Sequence, residues 1–334
     1  MALGIGLRHF YCNFDFPPAR TAWFREGGEM KQSHFISIIA AIIVLGSLSS
    51  FASEYMLGIG FTLFMYIALA QSWVILSGMT GYISLGHVVF FGSGAYVFVL
   101  MWGLVPVWLG VAISGLVVGI GALIIGYPVL RVRGPYFVIL SFGLAELVKN
   151  LVLINDARAY TTLRPVFGAP PLAQLYIAML VLAVVATVLT YWVRRSRFGA
   201  GLRSIREDEG AAETIGIPVA RLKLIAFALS AVIPAMVGGI FIMRSGIFQP
   251  GDAFNPIVSF TMVTMAIIGG SDDASGPLLG VAFLVILQEL LWVNWPEVYM
   301  IILGALLIGF VLFVPTGIYG WFAEKLSLRP KNAS

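Results

Sequence analysis

Charged residues are scarce in this chain. Only 11% of its 334 residues are Asp, Glu, Lys or Arg, whereas 60% are hydrophobic. A soluble globular protein has roughly 25% charged and 45–50% apolar residues, so this composition excludes an ordinary soluble domain. The 20 basic and 16 acidic residues leave a net charge of +4, which is too small and too scattered for a nucleic-acid surface. The composition predicts a membrane protein surrounded by lipid.

Cysteine and histidine are rare as well. Cys12 is the single cysteine, which excludes an internal disulfide and a thiolate metal cluster. His87 is the one histidine in the interior of an apolar run, and it lacks the further ligands that a metal site needs. No His-Glu-x-x-His or Gly-x-Ser-x-Gly motif occurs. We therefore expect neither an enzyme nor a bound metal or cofactor in this chain.

Long apolar runs make up most of what is present. A transmembrane helix needs about 20 apolar residues. Ten windows of this kind lie at 34–53, 56–77, 83–103, 105–128, 135–154, 173–193, 224–243, 254–270, 277–293 and 297–315. The predicted fold class is all-α, a polytopic membrane helical bundle of about ten spans. The eighth and ninth windows are short, so the range is eight to ten, and ten spans also permit two inverted five-span halves.

The segments outside these windows are short. We expect residues 1–33 to form a disordered, cytoplasmic N-terminal extension, because its Pro-Pro and Gly-Gly pairs oppose regular structure. Residues 34–315 form the predicted membrane domain, which includes a charged loop at 194–223. Residues 316–334 form the predicted C-terminal tail.

Basic residues predict the orientation of the spans, because Lys and Arg concentrate on the cytoplasmic side. With the N-terminus inside, 16 of the 20 fall on that side, and the exceptions are Lys149, Arg158, Arg164 and Arg244. A multi-pass protein with both termini in the cytoplasm follows.

The loop 194–223 holds the densest charge in the chain. Its residues 203–217 predict one short helix that is stopped by Gly216 and Pro218. The apolar side of that helix would carry Ile205, Ala212 and Ile215, and the polar side Arg206, Glu209 and Glu213. Such a helix favours docking of a protein partner, but a solvated loop whose charges only set topology explains the composition equally well.

Ionisable residues within spans are candidate functional groups, because they are costly there. Glu146 and Lys149 are three residues apart, which favours a structural pair. Glu289 lies near the end of its window, where a carboxylate needs no special role. An ion-coupled secondary transporter of small solutes is the alternative interpretation, although it would normally require an unpaired carboxylate at mid-membrane. A membrane scaffold without transport activity is a more remote one.

The third window contains many glycines. They favour either tight helix packing or a broken helix whose released backbone groups face a cavity. In the second case a translocation path would be lined or gated by the polar residues among them, Tyr82, Ser84, His87 and Ser93.

Three sets of motifs occur in order along the chain. They are Gly81–His87 with Phe90–Tyr96, Arg131–Phe137 with Ser141–Glu146, and Arg197–Gly199 through Gly216–Ile217, followed by Ile268–Gly270 and Gly276–Pro277. Together they resemble the permease subunit of bacterial branched-chain amino acid ABC importers, the LivM-like family, with urea permeases as close relatives. The resemblance covers about residues 35–320.

This resemblance implies a set of partners. Such a permease forms half of a pore in the bacterial inner membrane, and a second, homologous permease forms the other half. Two cytoplasmic ABC ATPases and a periplasmic substrate-binding protein complete the importer. Branched-chain or other small amino acids are the implied substrates, with urea and small amides as further possibilities. The sequence has no Gly-x-x-x-x-Gly-Lys-Ser/Thr loop, so ATP and Mg are expected on the partner ATPases.

The resemblance also implies a role for the charged loop. Its helix corresponds to the coupling helix that docks on an ATPase. The residues expected to carry this contact are Arg203, Arg206, Glu207, Asp208, Glu209, Ala212, Glu213 and Gly216.

Overall fold

The structure, a computed structural model, describes residues 45–47, 49, 51–158, 163–270, 275–294, 301–302 and 304–305. Contacts between residues divide the chain into a unit of residues 1–48 and a unit of residues 49–334. All elements named below belong to the second unit. The predicted N-terminal extension, most of the first and tenth windows, and the C-terminal tail lie outside the described residues.

The described elements are nearly all helices. In chain order they are α1 (Glu54–Trp73, continued by a π-helical turn Val74–Gly78), α2 (His87–Leu100), α3 (Val107–Val129), α4 (Pro135–Arg158), α5 (Leu172–Arg195), α6 (Arg197–Glu207), α7 (Glu209–Thr214), α8 (Val219–Ser245), α9 (Pro250–Ala253), α10 (Pro256–Gly269) and α11 (Gly276–Asn294). Two short strands, β1 (Arg164–Pro165) and β2 (Ile247–Phe248), pair in antiparallel fashion with Arg164 opposite Phe248.

Six helical stretches of the described chain are long and apolar enough to cross a membrane. They are Glu54–Gly78, Val107–Val129, Pro135–Arg158, Leu172–Arg195, Val219–Ser245 and Pro250–Gly269. Two shorter apolar helices, His87–Leu100 and Gly276–Leu291, fall on the third and ninth windows. The predicted all-α polytopic class is confirmed, while the total of ten spans and the inverted halves stay predictions.

Glycines allow α2 and α8 to cross in direct contact. A Cβ atom at Gly94 would overlap the backbone of Ala235, and one at Gly238 would overlap the carbonyl oxygen of Phe91. Because backbone cannot move aside as a side chain can, both positions require glycine for this crossing. Tight packing, one of the two alternatives predicted for the glycine-rich third window, therefore occurs at Gly94.

Further helix pairs use the same device. Gly115 and Gly119 of α3 face α8, where an added Cβ would lie 2.6 Å from Met236 Cγ and 2.7 Å from Val232 Cγ2, respectively. Gly280 of α11 packs directly on the backbone of α10. The pairs Gly115 with Gly119 and Gly276 with Gly280, each spaced four residues apart, thus lie in close contacts, as is common in membrane bundles.

The short helices α6 and α7 are part of this packed structure. Leu202, Ile205 and Ala212 are buried in the same apolar cluster as Phe137 and Phe227. Burial of these three residues holds both helices against one end of the bundle, the end at which α3 and α5 finish and α4 and α8 begin.

Candidate coupling site at one end of the bundle

A sharp turn joins α5 to α6 and is fixed by local sequence. Ser196 is extended, and its hydroxyl accepts a hydrogen bond from the backbone N–H of Gly199 at 3.1 Å, which caps α6. A Cβ at Gly199 would overlap the carbonyl oxygen of Val193. The Arg197–Gly199 motif therefore has a structural reason: glycine lets the first turn of α6 fold back on the end of α5.

The predicted single helix over residues 203–217 is wrong, because the chain breaks it at Asp208. This residue is extended, with φ −156° and ψ 113°, and it separates α6 from α7. Its carboxylate oxygen Oδ1 accepts a hydrogen bond from the N–H of Ala211 at 3.0 Å. Aspartate side chains compete in this way for backbone N–H groups and favour the start of a helix over its interior.

The predicted stop of this segment is confirmed. Gly216 follows α7 with φ +87°, a left-handed conformation that glycine adopts readily. The N–H of Ile217 then bonds to the carbonyl oxygen of Ala212 at 3.0 Å, which closes the end of the helix.

The break turns α7 relative to α6, so the predicted faces are only partly correct. Ile205 and Ala212 are buried as expected, but Ile215 is 73% exposed. Glu209 does not lie on an outward polar side with Glu213: its side chain is only 14% exposed and points into the bundle. The outer surface of the two helices is formed by Arg203, Glu207, Asp208, Gly210, Glu213 and Ile215.

Two of the predicted coupling residues contact the backbone of other elements. Arg206 donates to the carbonyl oxygen of Gly78, at the end of the π-helical turn, at 2.9 Å. Arg203 donates to the carbonyl oxygen of Arg194, at the end of α5, at 2.7 Å. Both contacts hold α6 to the helices that it follows or faces.

Glu209 lies at the centre of a group of side chains from four separate elements, which we call the Glu209 cluster: Tyr82, Arg133, Glu209 and Lys223. Lys223 Nζ donates to Glu209 Oε1 at 2.8 Å and to the Tyr82 hydroxyl at 3.1 Å. That hydroxyl donates to Glu209 Oε2 at 2.5 Å. Arg133 Nη2 completes the cluster at 3.1 Å from Glu209 Oε1.

The Glu209 cluster is important for stability because part of it is buried. The Lys223 side chain is 5% exposed, and a buried ammonium group is tolerated when it is paired and hydrogen-bonded. Its acceptors are Glu209, the Tyr82 hydroxyl and the Leu130 carbonyl oxygen at 3.5 Å, and its Nζ also lies 4.5 Å from the centre of the Tyr82 ring. Loss of Glu209 would leave the buried Lys223 ammonium without a countercharge.

The electrostatics of the cluster favour one protonation state. Burial raises the pKa of Glu209, but hydrogen bonds from Lys223 and Tyr82 outweigh burial, so the pKa lies below its ordinary value of 4.5. Burial and the hydrogen bond to Glu209 raise the pKa of Tyr82 above 10.0. Near neutral pH the carboxylate is therefore ionised and the phenol keeps the proton that it donates.

The predicted path residues lie around a break before α2. Residues 81–86 are not helical, and hydroxyls accept hydrogen bonds from backbone N–H groups of this segment: Ser77 accepts from Ser84, and Ser141 accepts from Leu85, both at 3.1 Å. Trp73 Nε1 donates to the Ser84 carbonyl oxygen at 2.9 Å. The glycine-rich third window thus combines a broken helix with tight packing.

Burial distinguishes the four predicted path residues. Ser84 and His87 are each 1% exposed, with Ser84 Oγ 3.2 Å from His87 Nδ1. Ser93 is half-buried on α2. Tyr82 belongs to the Glu209 cluster, which the sequence did not indicate. A role of these residues in translocation stays a prediction.

Three acidic residues on the apolar helices, Glu146, Glu289 and Asp156, have polar partners. Lys149 Nζ lies 2.5 Å from Glu146 Oε2, which confirms the predicted pair. The Tyr55 hydroxyl donates to Glu289. Asp156, at the end of α4 and missed by the sequence reasoning, is buried and lies 2.8 Å from Arg164 Nη2.

Lys223 was also missed as a buried group, since it was counted among the loop cations. A signal was present in the sequence: Lys223 lies between Leu222 and Leu224, at the start of an apolar helix. Asp156 gave a weaker signal, because it follows its window by two residues.

Membrane-length helices with a pair of charged, partly exposed helices packed at one end define a polytopic membrane protein. The family model for the permease component of branched-chain amino acid transport systems matches residues 55–311. The chain therefore belongs to this permease family.

Curated relatives are similar over most of their length. The chain is 26% identical to the high-affinity branched-chain amino acid transport system permease protein LivM of Salmonella typhimurium, over 92% of this chain and 80% of that protein. It is 26% identical to the permease protein BraD of Pseudomonas aeruginosa and 25% identical to LivH of Escherichia coli K12, each over 76% of this chain and 91% of the relative. No solved structure matches the chain at a significant level.

Proposed function

We propose that this permease forms half of the translocation pore of an ATP-driven importer and docks a cytoplasmic ATPase through the outer surface of α6 and α7. The observation that carries the proposal is the amphipathic division of these helices. Leu202, Ile205 and Ala212 are buried against the bundle, while Ile215 and Glu213 are exposed on the other side. A large apolar side chain exposed beside charged residues is typical of a contact for a protein partner.

Four partners complete the proposed assembly. They are a second homologous permease, two ABC ATPases that bind ATP and Mg, and a periplasmic substrate-binding protein. Similarity to both LivM and LivH of Escherichia coli K12, two permease proteins with the same system name, supports the pairing of two different permeases. The membrane is the bacterial inner membrane, with both termini and the α6–α7 surface in the cytoplasm.

Branched-chain or other small amino acids are the proposed substrates, because LivM, LivH and BraD are named for transport of branched-chain amino acids. The path is proposed to pass the stretch from Tyr82 to Ser93. The paired state of Glu146 with Lys149, and of Asp156 with Arg164, gives no support to the alternative of an ion-coupled carrier.

The docking proposal is tested by co-purification of the permease with the proposed partner ATPases. We expect Ile215→Asp to lower their affinity about tenfold or more, because it places a charge within an apolar contact. Ile247→Asp is the matched control, since Ile247 is also exposed but lies in β2 at the other end of the bundle.

Glu213→Lys tests the charged part of the same surface, whereas Glu209→Lys is unsuitable because Glu209 faces the bundle. Each variant is measured in a reconstituted complex for retained ATPase and for stimulated ATP hydrolysis. Normal retention and hydrolysis in both Ile215→Asp and Glu213→Lys would remove the outer surface of α7 from the ATPase contact.

A further inference from the structure

The Glu209 cluster connects the proposed docking helices to the break before α2. Glu209 is the first residue of α7, and Tyr82 lies in the non-helical segment 81–86. Their side chains are joined directly at 2.5 Å and again through Lys223. A continuous chain of polar contacts therefore runs from the helix that faces the partner to the backbone that leads into α2.

A second tether attaches the same two regions. Arg206, on α6, donates to the Gly78 carbonyl oxygen on one side of residues 79–81. Gly81 has φ +76°, and a Cβ there would lie 3.3 Å from Arg206 Cγ. The α6–α7 pair thus holds this short turn at both ends, through Arg206 at Gly78 and through Glu209 at Tyr82.

The segment beyond Tyr82 is tied into the bundle. Tyr82 packs edge-on against Phe137 of α4, with ring centres 5.3 Å apart. Hydrogen bonds from Trp73 and to Ser141 follow within three residues. A displacement of Tyr82 would therefore change the contacts of this segment with α1, α4 and the start of α2.

The surroundings leave α7 room to shift. A cavity of about 270 Å³ lies beside the cluster, lined by Tyr127, Arg131, Arg133, Glu213 and Leu224 as well as Glu209 and Lys223. Because packed cores do not deform continuously, a shift of α7 needs adjacent space of this kind.

We infer that the Glu209 cluster transmits displacement of α6 and α7 to segment 81–86, with Glu209, Lys223 and Tyr82 as positioning residues and not as contacts of the ATPase. This inference rests on the proposed function, because the displacement is supplied by the docked partner. It assigns different roles to two glutamates of one short helix: Glu209 faces the bundle, while Glu213, whose side chain is 53% exposed and lies 3.8 Å from Arg133 at the edge of the cluster, contacts the partner.

The test follows segment 81–86 directly. Ile83 is 45% exposed, so Ile83→Cys provides a thiol for maleimide labelling in a Cys12→Ser background. The complete complex with both ATPases is labelled without nucleotide and after trapping with ATP and vanadate. When the residues of the Glu209 cluster are unchanged, we expect the labelling rate at position 83 to differ about fivefold or more between the two conditions. This is the lower end of typical coupling between sites.

Two small changes should abolish that response. Tyr82→Phe removes the hydroxyl but keeps the ring, and Lys223→Met removes the charge but keeps much of the side-chain length. We expect the nucleotide-dependent change at position 83 to fall below about twofold while the ATPases stay bound, since the coupling free energy is lost without loss of the docking surface. Lys149→Met and Tyr96→Phe, which remove equivalent groups at other sites, should leave the response intact.

Charge exchange separates transmission from simple misfolding. Glu209→Lys and Lys223→Glu should each abolish the response, and the double variant should restore at least half of it, because the ion pair is rebuilt in reverse.

An unchanged response in Tyr82→Phe and Lys223→Met would overturn the inference. It would also be overturned if the labelling rate at position 83 did not change with nucleotide while the ATPases were bound. Loss of the ATPases from these two variants would assign the cluster to docking, which also contradicts it. Failure of the unmodified chain to bind the ATPases would instead reject the proposed function on which the inference rests.

Discussion

Single residues decide how closely the helices of this permease approach one another. Gly94 and Gly238 allow direct backbone contact between α2 and α8, while hydroxyls of Ser77, Ser141 and Ser259 accept hydrogen bonds from backbone N–H groups at residues 84–88. Both devices suit a bilayer, where water is not available to satisfy exposed backbone and small residues improve packing.

Gly94→Leu should destabilise the permease by about 1–3 kcal/mol or more, because its side chain would enter the backbone of α8 at Ala235. The measurement is the thermal unfolding midpoint in detergent, followed by size-exclusion chromatography. Gly121→Ala is the matched control: nothing lies within 4 Å of a Cβ at Gly121, so this helix position should tolerate alanine. Equal midpoints for Gly94→Leu and the unmodified protein would contradict the described α2–α8 crossing.

At the scale of elements, the division of one charged segment into α6 and α7 is the decisive feature. Asp208 ends the first helix and caps the second, and Gly216 ends the second. A continuous helix would keep Arg206, Glu209 and Glu213 near one face. The break instead sends Glu209 into the bundle and leaves Glu213 on the surface, so one segment can contact both a partner and the permease interior.

Asp208→Ala should loosen α7, since loss of a capping side chain costs about 0.5–2 kcal/mol. We expect faster hydrogen exchange of the backbone amides in residues 209–216, above all at Ala211, whose N–H bonds to the Asp208 carboxylate. Asp208→Asn keeps an acceptor at the same position and should exchange at nearly the original rate. Identical exchange in the alanine and asparagine variants would show that the cap does not hold α7.

At the scale of the whole molecule, the charged groups separate toward two ends of the helices. The Glu209 cluster and the α6–α7 pair lie where α4 begins, near Pro135. The Asp156–Arg164 pair lies where α4 ends, and a helix of 24 residues is about 36 Å long, enough to cross the hydrocarbon core. The excess of Lys and Arg at the first end supports the proposed orientation, in which this end faces the cytoplasm.

Cysteines at the two ends should therefore react from opposite sides of the membrane. In a Cys12→Ser background, Arg203→Cys should be labelled by an impermeant maleimide only in inside-out vesicles, and Arg158→Cys only in right-side-out vesicles. Lys331→Cys, in the tail, should behave like Arg203→Cys if both termini are cytoplasmic. Labelling of positions 203 and 158 from the same side would reject the proposed orientation.

The sequence by itself determined the features that depend on local pattern. Apolar runs of membrane length predicted the helices of the described region, Gly216 predicted the end of α7, and three-residue spacing predicted the Glu146–Lys149 pair. In each case the relevant residues are neighbours along the chain, so helical periodicity or backbone preference is sufficient.

Only the tertiary structure decided the Glu209 cluster and the packing roles of the glycines. Tyr82 and Glu209 are 127 residues apart in sequence, and the burial of Lys223 depends on how α3, α7 and α8 meet around it. The direction of Glu209 follows from the rotation introduced at Asp208, which a single-helix pattern does not contain. The local sequence around a charged residue can be the same whether the residue lies in a solvated loop or in a buried ion pair. The elements that pack against the residue decide between the two.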